Sequence, residues 1–544
     1  MVKRPRITAH NETARLAARL RLAGCRVAAA AALLAAAGCA TAPKAQRDRW
    51  PDHAHGVVFE DRDADGQRDP GERGLSGVAV SNGRDVALTD FYGRWHLPCD
   101  DDTIFFVIKP RGWCTQVDGL QLPRFHYIHK PGGSPSSKYA GVAPTGPLPE
   151  SIDFPLYRRH EPDRFRVVLF ADTQPRNQQE IDYVAHDVVE ELVDVDAAFG
   201  MTLGDILFDD LSLFDSLNRT VALIGRPWYN VIGNHDTNMD TTEDRYSDET
   251  FERIYGPPYY SFDYGRVHFL VLDDINWMGG GEGRRSYAGG LGPEQLEFIR
   301  NDLALVPPDR LVVLTMHIPI YEVEDREELF RLIEDRPHVV SIAGHMHFHE
   351  NRFLGADDGW KGNEAHYHLV QGTVSGSWWS GAPDELGIPH TTMRDGVPNG
   401  YSIATFDGHR MSIAYKAARR PADYQMNIYA PEVVPAAQAA TTPVWANIFA
   451  GSDRSRVEMR LGRSGPWVEM ERTDERDPAY LRLKELEVGP QPPPGRKLPR
   501  AMRCPHLWRA NLPAHPAPGT HLIQVRETDL FGQTHRANRV IRIE

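Results

Sequence analysis

Long apolar runs are absent from this 544-residue chain; none approaches the ~20 residues that a membrane-spanning helix needs. Positive charge is also short, with 61 Lys and Arg against 75 Asp and Glu. The formal net charge of -14 argues against a general nucleic-acid binder, and no nucleic-acid duplex is expected as a partner, because a phosphate backbone rewards clustered Lys and Arg. Small anionic substrates stay open, since a bound metal can dominate the local charge. Cysteine is scarce at five residues, two of which, Cys25 and Cys39, lie in the first 39 positions. Of the other three, Cys99 and Cys114 flank the strand-like stretch 103–109 and could pair in an oxidising compartment, leaving Cys504 as a lone thiol. Internal repeats are missing, and nothing calls for a protein partner.

What is present begins at the N-terminus. Arg15, Arg19, Arg21 and Arg26 precede an apolar run at 27–37, and then comes Ala36-Ala37-Gly38-Cys39. Basic, apolar and small residues in that order make a secretory signal. A Cys directly after the small residues resembles a bacterial lipobox, so residues 1–39 read as a lipoprotein signal peptide with Cys39 lipidated. The alternatives are ordinary secretion with cleavage near Ala40 and an unprocessed Ala-rich helix. The chain is therefore expected to be exported and tied to a membrane by a lipid anchor, facing the periplasm or the cell surface. Residues 40–54 form a polar tether.

The length implies three or four domains, and 46 Gly with 41 Pro favours turns and short strands. From 55 to 160, short apolar runs (56–59, 77–80, 95–97, 104–108) alternate with Gly- and Asp-rich breaks, the pattern of a small β-sandwich. The Gly/Pro/Ser-rich stretch 131–149 reads as a linker or a long ordered loop. From 163 to 418, apolar strands at 167–170, 201–203, 229–232, 268–272, 311–316 and 339–343 alternate with helical segments. The longest of these, 178–199, has Ile181, Val184, Val188, Leu192 and Val195 at helical spacing. Short strands return over 425–544 as a second β-sandwich.

Metal-capable side chains cluster at one end of the central strands. Asp172 and Gln174 follow the first, Gly204-Asp205 the second, and Gly233-Asn234-His235-Asp236 the third; His317 ends a later strand and Gly344-His345-Met346-His347 follows the next. Carboxyl ends of strands are where α/β sheets place ligands. Carboxylate, amide and imidazole together suit two divalent ions such as Mn, Fe, Zn or Mg. Such a pair can clamp the oxygens of a displacement at phosphorus, with Asp205 the natural bridging ligand. The glycines before Asp205, Asn234 and His345 let the chain turn sharply off the strand.

This series resembles the signature of the calcineurin-like metallophosphoesterases, in a bacterial branch with extra N- and C-terminal β domains. The resemblance implies a four-layer α/β/β/α domain flanked by two β-sandwiches. It implies that one ion is held by Asp172, Gln174, Asp205 and His347, and the other by Asp205, Asn234, His317 and His345. It makes His235 the catalytic histidine outside the ligand sphere, oriented by Asp236. Gln174 stands where many members have His. The reaction implied is hydrolysis of a phosphomonoester or phosphodiester, small or glycan-linked. A rival reading is a lipid-anchored protein that binds phosphorylated glycans without turnover, and a third makes the flanking domains adhesion modules.

Other residues carry weaker signals. Asp209 and Asp210 could hold water beside the metals or cap a helix, and His349 is expected outside the ligand set. Trp378 and Trp379, in a Gly/Ser-rich loop, could contact substrate or pack a domain interface. Asp61, Asp63, Asp65, Gly66, Asp69 and Glu72 fit the twelve-residue calcium-loop template, with no helices flanking it.

Overall fold

A computed structural model describes residues 52–279 and 286–544. Two sheets form its centre. One orders the strands Trp228–Val231, Phe199–Leu203, Arg164–Phe170, Gly400–Asp407 and Arg410–Ala417, the first three parallel. The other orders Tyr260–Tyr264, Val267–Val271, Leu311–Thr315, Val339–Ala343, His366–Val370 and Glu350–Leu354, with four parallel strands inside two antiparallel edges.

Alternation along Arg164–Phe170 shows how the layers stack. Val167 and Leu169, with Ala171 beyond, join the core shared with Phe269 and Leu314 of the second sheet. Val168 and Phe170 point the other way, onto Ile181, Val184 and Leu192 of the covering helix. Strands buried on both faces read as continuous apolar runs, and Phe199–Leu203, Val267–Val271 and Leu311–Thr315 are buried throughout. Helices Gly292–Leu303 and Arg326–Ile333 cover the far side through Phe298, Ile299, Leu329 and Phe330. The result is the expected α/β/β/α arrangement.

The helix expected over 178–199 is shorter. It runs Gln178–Val184, passes through a π turn at Ala185–Val189 and ends at Leu192. Val193 leaves helical geometry with ψ 128° and Asp194 follows with a left-handed φ of 59°, so the helix stops although Val195 continues its spacing, and Phe199 already belongs to a strand.

β-sandwiches flank this centre. The N-terminal one packs two four-stranded sheets around Trp95, Phe105 and Phe154. Its core is continuous with that of the second central sheet, where Phe106 meets Phe298 with ring centroids 5.6 Å apart. Buried Lys109 and Glu161 pair at 2.6 Å at the junction. The C-terminal sandwich has a separate core that includes Val444, Ile448, Val457, Trp508 and Val525. Residues 131–149 are an ordered loop on the central region, held by Ser137 and Lys138 on Asp240 and by Tyr139 on the Asp209 carbonyl. Cys99 and Cys114 are buried on opposite edge strands of one four-stranded sheet. Three strand spacings of ~4.8 Å separate those edges, too far for a disulfide. No helix among the described residues is long and apolar enough to cross a membrane. Cys39 lies outside the described residues.

Candidate metal centre

The carboxyl ends of five parallel strands converge on one buried cluster. Asp172, Asp205, His317 and His345 each sit two residues beyond a strand, and Asn234 three beyond. Nitrogen and oxygen atoms of Asp205, His317 and His345 lie within 4.8 Å of one another. His317 Nε2 is 3.1 Å from Asn234 Oδ1, 3.1 Å from His345 Nδ1 and 3.3 Å from Asp205 Oδ1. On the other side of Asp205, its Oδ2 is 2.7 Å from Gln174 Nε2, and His347 Nε2 is 3.4 Å from Asp172 Oδ1. Asp205 thus faces both groups of expected ligands.

The chemistry of these contacts calls for cations. His317 Nδ1 donates to the Leu203 carbonyl at 2.9 Å, and His347 Nδ1 donates to the Gly376 carbonyl at 2.5 Å. A carbonyl can only accept, so both rings turn a lone pair at Nε2 into the cluster. Backbone carbonyls fixing the tautomer of metal-ligating histidines are a recurrent arrangement. Around His317 Nε2 the result is acceptor facing acceptor, which is unfavourable unless a proton or metal lies between. The same pressure acts on titration: burial pulls His317 down, but the Asp205 and Asp172 carboxylates outweigh it and push it up to about 10. In addition, the Asp172 Oδ1 and Gln174 Oε1 oxygens are buried without hydrogen-bond partners. The residues present fit divalent metal ions.

Strain concentrates in the same loops. Asp172, Gln174, Asp205, His345 and His347 have φ of 47°, 39°, 49°, 71° and 52°. Left-handed backbone at non-glycine residues costs about 1–3 kcal/mol each and persists where the surroundings over-determine it. The motif glycines act mainly through space. A Cβ on Gly344 would come within 2.6 Å of Asp172 Oδ2, and one on Gly233 within 2.0 Å of the Asp205 nitrogen. Gly204 meets both demands, with φ 79° and a Cβ position 2.4 Å from His317 Nδ1.

Asp236 was expected to orient His235, and its carboxylate is engaged elsewhere. It accepts the backbone N–H groups of Ile206, Leu207 and Gly233 at 2.9–3.1 Å, tying the Asp205 loop to the Asn234 loop. The carboxylate on His235 belongs to Asp209, whose Oδ1 is 2.7 Å from Nδ1; the Phe208 carbonyl accepts from the same nitrogen. Asp210 caps the short turn at Leu211–Leu213. The two tryptophans divide. Trp379 is 2% exposed, packs on Tyr183 and donates to the Thr173 carbonyl, so it is interior packing and not a substrate contact. Trp378 is half-buried and stacks on the His347 ring with centroids 3.9 Å apart. His349 accepts from the Gly372 N–H in the interior.

One residue with a clear role went unnoticed. Asp274 is fully buried and accepts the N–H groups of His317 and Ile318 at 3.2 and 2.8 Å, fixing the His317 loop. Its signal was available, since it follows the strand Val267–Val271 at the same sheet end. In the N-terminal region, carboxylate oxygens of Asp61, Asp63 and Glu72 lie within 4.8 Å of one another, as do those of Asp63, Asp65 and Asp69. Asp61 accepts from Ala64 and Gly66, and Glu72 from Arg62 and Asp69, all backbone N–H groups.

Fold and donor set together define a metal-binding hydrolase. The sequence matches the family described as calcineurin-like phosphoesterase over 165–349, and those described as its N terminal over 62–140 and its C terminal over 368–535. The chain belongs to the calcineurin-like phosphoesterases, in a form that carries both terminal extensions. Among solved structures it is similar to the purple acid phosphatase PPD1 from yellow lupin (Lupinus luteus) seeds. That likeness has 14% identity and a TM-score of 0.34, and covers 67% of each chain. A superoxide reductase (neelaredoxin) from Ignicoccus hospitalis matches at 15% identity and a TM-score of 0.13, covering 22% of this chain and 80% of that one. Comparison with curated proteins gives no match.

Proposed function

We propose that the chain hydrolyses phosphomonoester or phosphodiester bonds with a dinuclear metal centre, outside the cytoplasm. The observation that carries this reading is the position of Asp205 between two ligand groups, its Oδ2 toward Gln174 and its Oδ1 toward His317. Asp172, Gln174, Asp205 and His347 would hold one ion, and Asp205, Asn234, His317 and His345 the other. When bound, the pair supplies Lewis acidity at phosphorus and a water ionised near neutral pH.

The protein's own groups do the rest. The contact of His235 Nδ1 with a carbonyl makes that nitrogen the donor, which leaves Nε2 to pass a proton to the departing ester oxygen. Asp209 supports the imidazolium form. Asp236 and Asp274 lock the backbone of the ligand loops. Phe208 stacks on His235 with centroids 4.6 Å apart and screens one face of the ring from water.

Attachment to a membrane through lipidated Cys39 belongs to the same proposal, supported by the basic, apolar and Ala-Ala-Gly-Cys order of residues 15–39. So does a calcium ion in the 61–72 loop, supported by the clustering of its carboxylates. The test of the activity is a hydrolysis screen of aryl phosphate mono- and diesters, with Mn, Fe, Zn and Mg supplied separately. Turnover that depends on added metal is expected; no turnover with any of the four contradicts the proposal.

A further inference from the structure

We infer that Arg176 and Arg496 form a second anion subsite beside the metal centre, taking a carboxylate or phosphate carried on the leaving-group side of the substrate. The inference rests on the phosphoesterase reading above.

Arg176 lies two residues past Gln174, whereas Arg496 comes from the C-terminal region. Their guanidinium groups converge. Arg176 Nη1 and Arg496 Nη1 donate to the same Trp378 carbonyl at 2.9 and 3.1 Å. Both also reach the buried Glu180 carboxylate, at 3.4 and 3.0 Å. Two like charges share Glu180, while Asp209, which also acts on Arg176, is paired with His235, so a positive charge is left over. Each guanidinium carries five N–H donors. Among the described residues, Nε and Nη2 of Arg176 and Nε of Arg496 have no hydrogen-bond partner.

The place is built, not incidental. The Arg496 carbonyl accepts from the Gly381 N–H at 2.6 Å, pinning the C-terminal loop to the Trp378 loop. Gly495 has φ 107°, and a Cβ there would come within 2.5 Å of the Gly381 carbonyl oxygen, so the contact needs glycine. Trp378 and Trp379 are themselves left-handed, with φ 55° and 52°.

Adjacency to the chemistry is direct. The Arg176 guanidinium lies 4.0 Å over the Phe208 ring, which stacks on His235, and Trp378 stacks on His347. The subsite is therefore one residue away from the proposed proton donor and from a proposed metal ligand. Because His235 serves the departing oxygen, Phe208 and Arg176 line the leaving-group side. A phosphate ester whose alcohol part carries a second anion would place that anion where bidentate guanidinium pairing is available.

The test is calorimetric binding to metal-loaded protein of phenylphosphonate, 4-carboxyphenylphosphonate and 1,4-phenylenebisphosphonate, whose C–P bonds resist hydrolysis. Wild type should bind at least one doubly anionic ligand roughly tenfold tighter than phenylphosphonate, as expected for added charge-assisted hydrogen bonds. The two doubly anionic arms tell carboxylate from phosphate preference. Arg496→Ala should bring the ratio close to one, and Arg176→Gln provides a second variant should the first disturb the loop. No advantage in wild type, or an advantage that survives in both variants, overturns the subsite. Turnover of phenyl phosphate by the same preparation separates the two ideas. Arginine-dependent binding without turnover would sink the hydrolase reading and leave the subsite standing.

Discussion

Asp209 Oδ1 lies 2.7 Å from His235 Nδ1, while the neighbouring Asp236 spends its carboxylate on three backbone N–H groups. The two acids therefore fail differently when altered. Asp209→Asn should leave metal content and melting temperature near wild type and lower kcat roughly tenfold, part of the ~10²–10⁴ that a positioned acid supplies. The loss should grow as the leaving group becomes poorer. Asp236→Asn should instead lower the melting temperature, because it loosens both ligand loops. Equal stability loss in the two variants would remove the distinction.

In the proposed centre Gln174 would contribute a neutral amide oxygen where imidazole nitrogen would bind more softly. The position shared with Asp172, Asp205 and His347 should favour Mn, Mg or Fe over Zn, and should empty first during purification. Gln174→His should tighten it and shift it toward Zn. Metal titration of both proteins, followed by bound-metal analysis, checks this. Retention of both ions by wild type through chelator dialysis, with no tighter binding in the variant, would count against it.

Buried histidines pull stability in opposite directions on the two sides of pH 6.5. Burial holds His126 and His366 down, to about 4 and about 3, so the unfolded chain gains protons that the fold refuses as pH falls below 6.5. Each costs about 1.4 kcal/mol per pH unit there. His268 runs the other way: burial lowers it, but Asp302 and Asp263 at 2.8 and 2.9 Å outweigh burial and push it up to about 9. Its contribution is complete below 6.5 and disappears as pH rises through 9. Melting curves of wild type and His268→Gln should differ most at pH 6.5 and converge above pH 9. A constant difference across that range would contradict the assignment.

Cys39 tests the anchor. Cys39→Ser should move the protein from the membrane fraction to the soluble one on fractionation. A wild type that is already soluble would refute lipidation.

Much of the candidate site's clustering was legible because its residues are local to strand ends, and a continuous apolar run followed by Asp, Asn or His places a polar group at the rim of a sheet. Strand positions such as 339–343 followed from the same runs. What sequence could not settle was direction within a loop. Asp209 and Asp236 each lie a few residues past a ligand, and only the path of the Phe208 backbone decides which one meets His235. Trp378 and Trp379 are adjacent and conformationally alike, yet one faces the site and the other the core. Arg496 reaches the mouth from a region with no local signal, because its approach depends on how the C-terminal loop docks at Gly381. The helix end at Leu192 was missed because Val195 keeps the apolar spacing after the backbone has turned.

The central claim is that Asp205 serves two ions at once. Turnover and bound metal should be measured together on wild type and Asp205→Asn, in the same preparation and with metal in excess. Loss of turnover accompanied by a fall in metal content is the expected result. Wild-type turnover with two ions still bound per chain would contradict it.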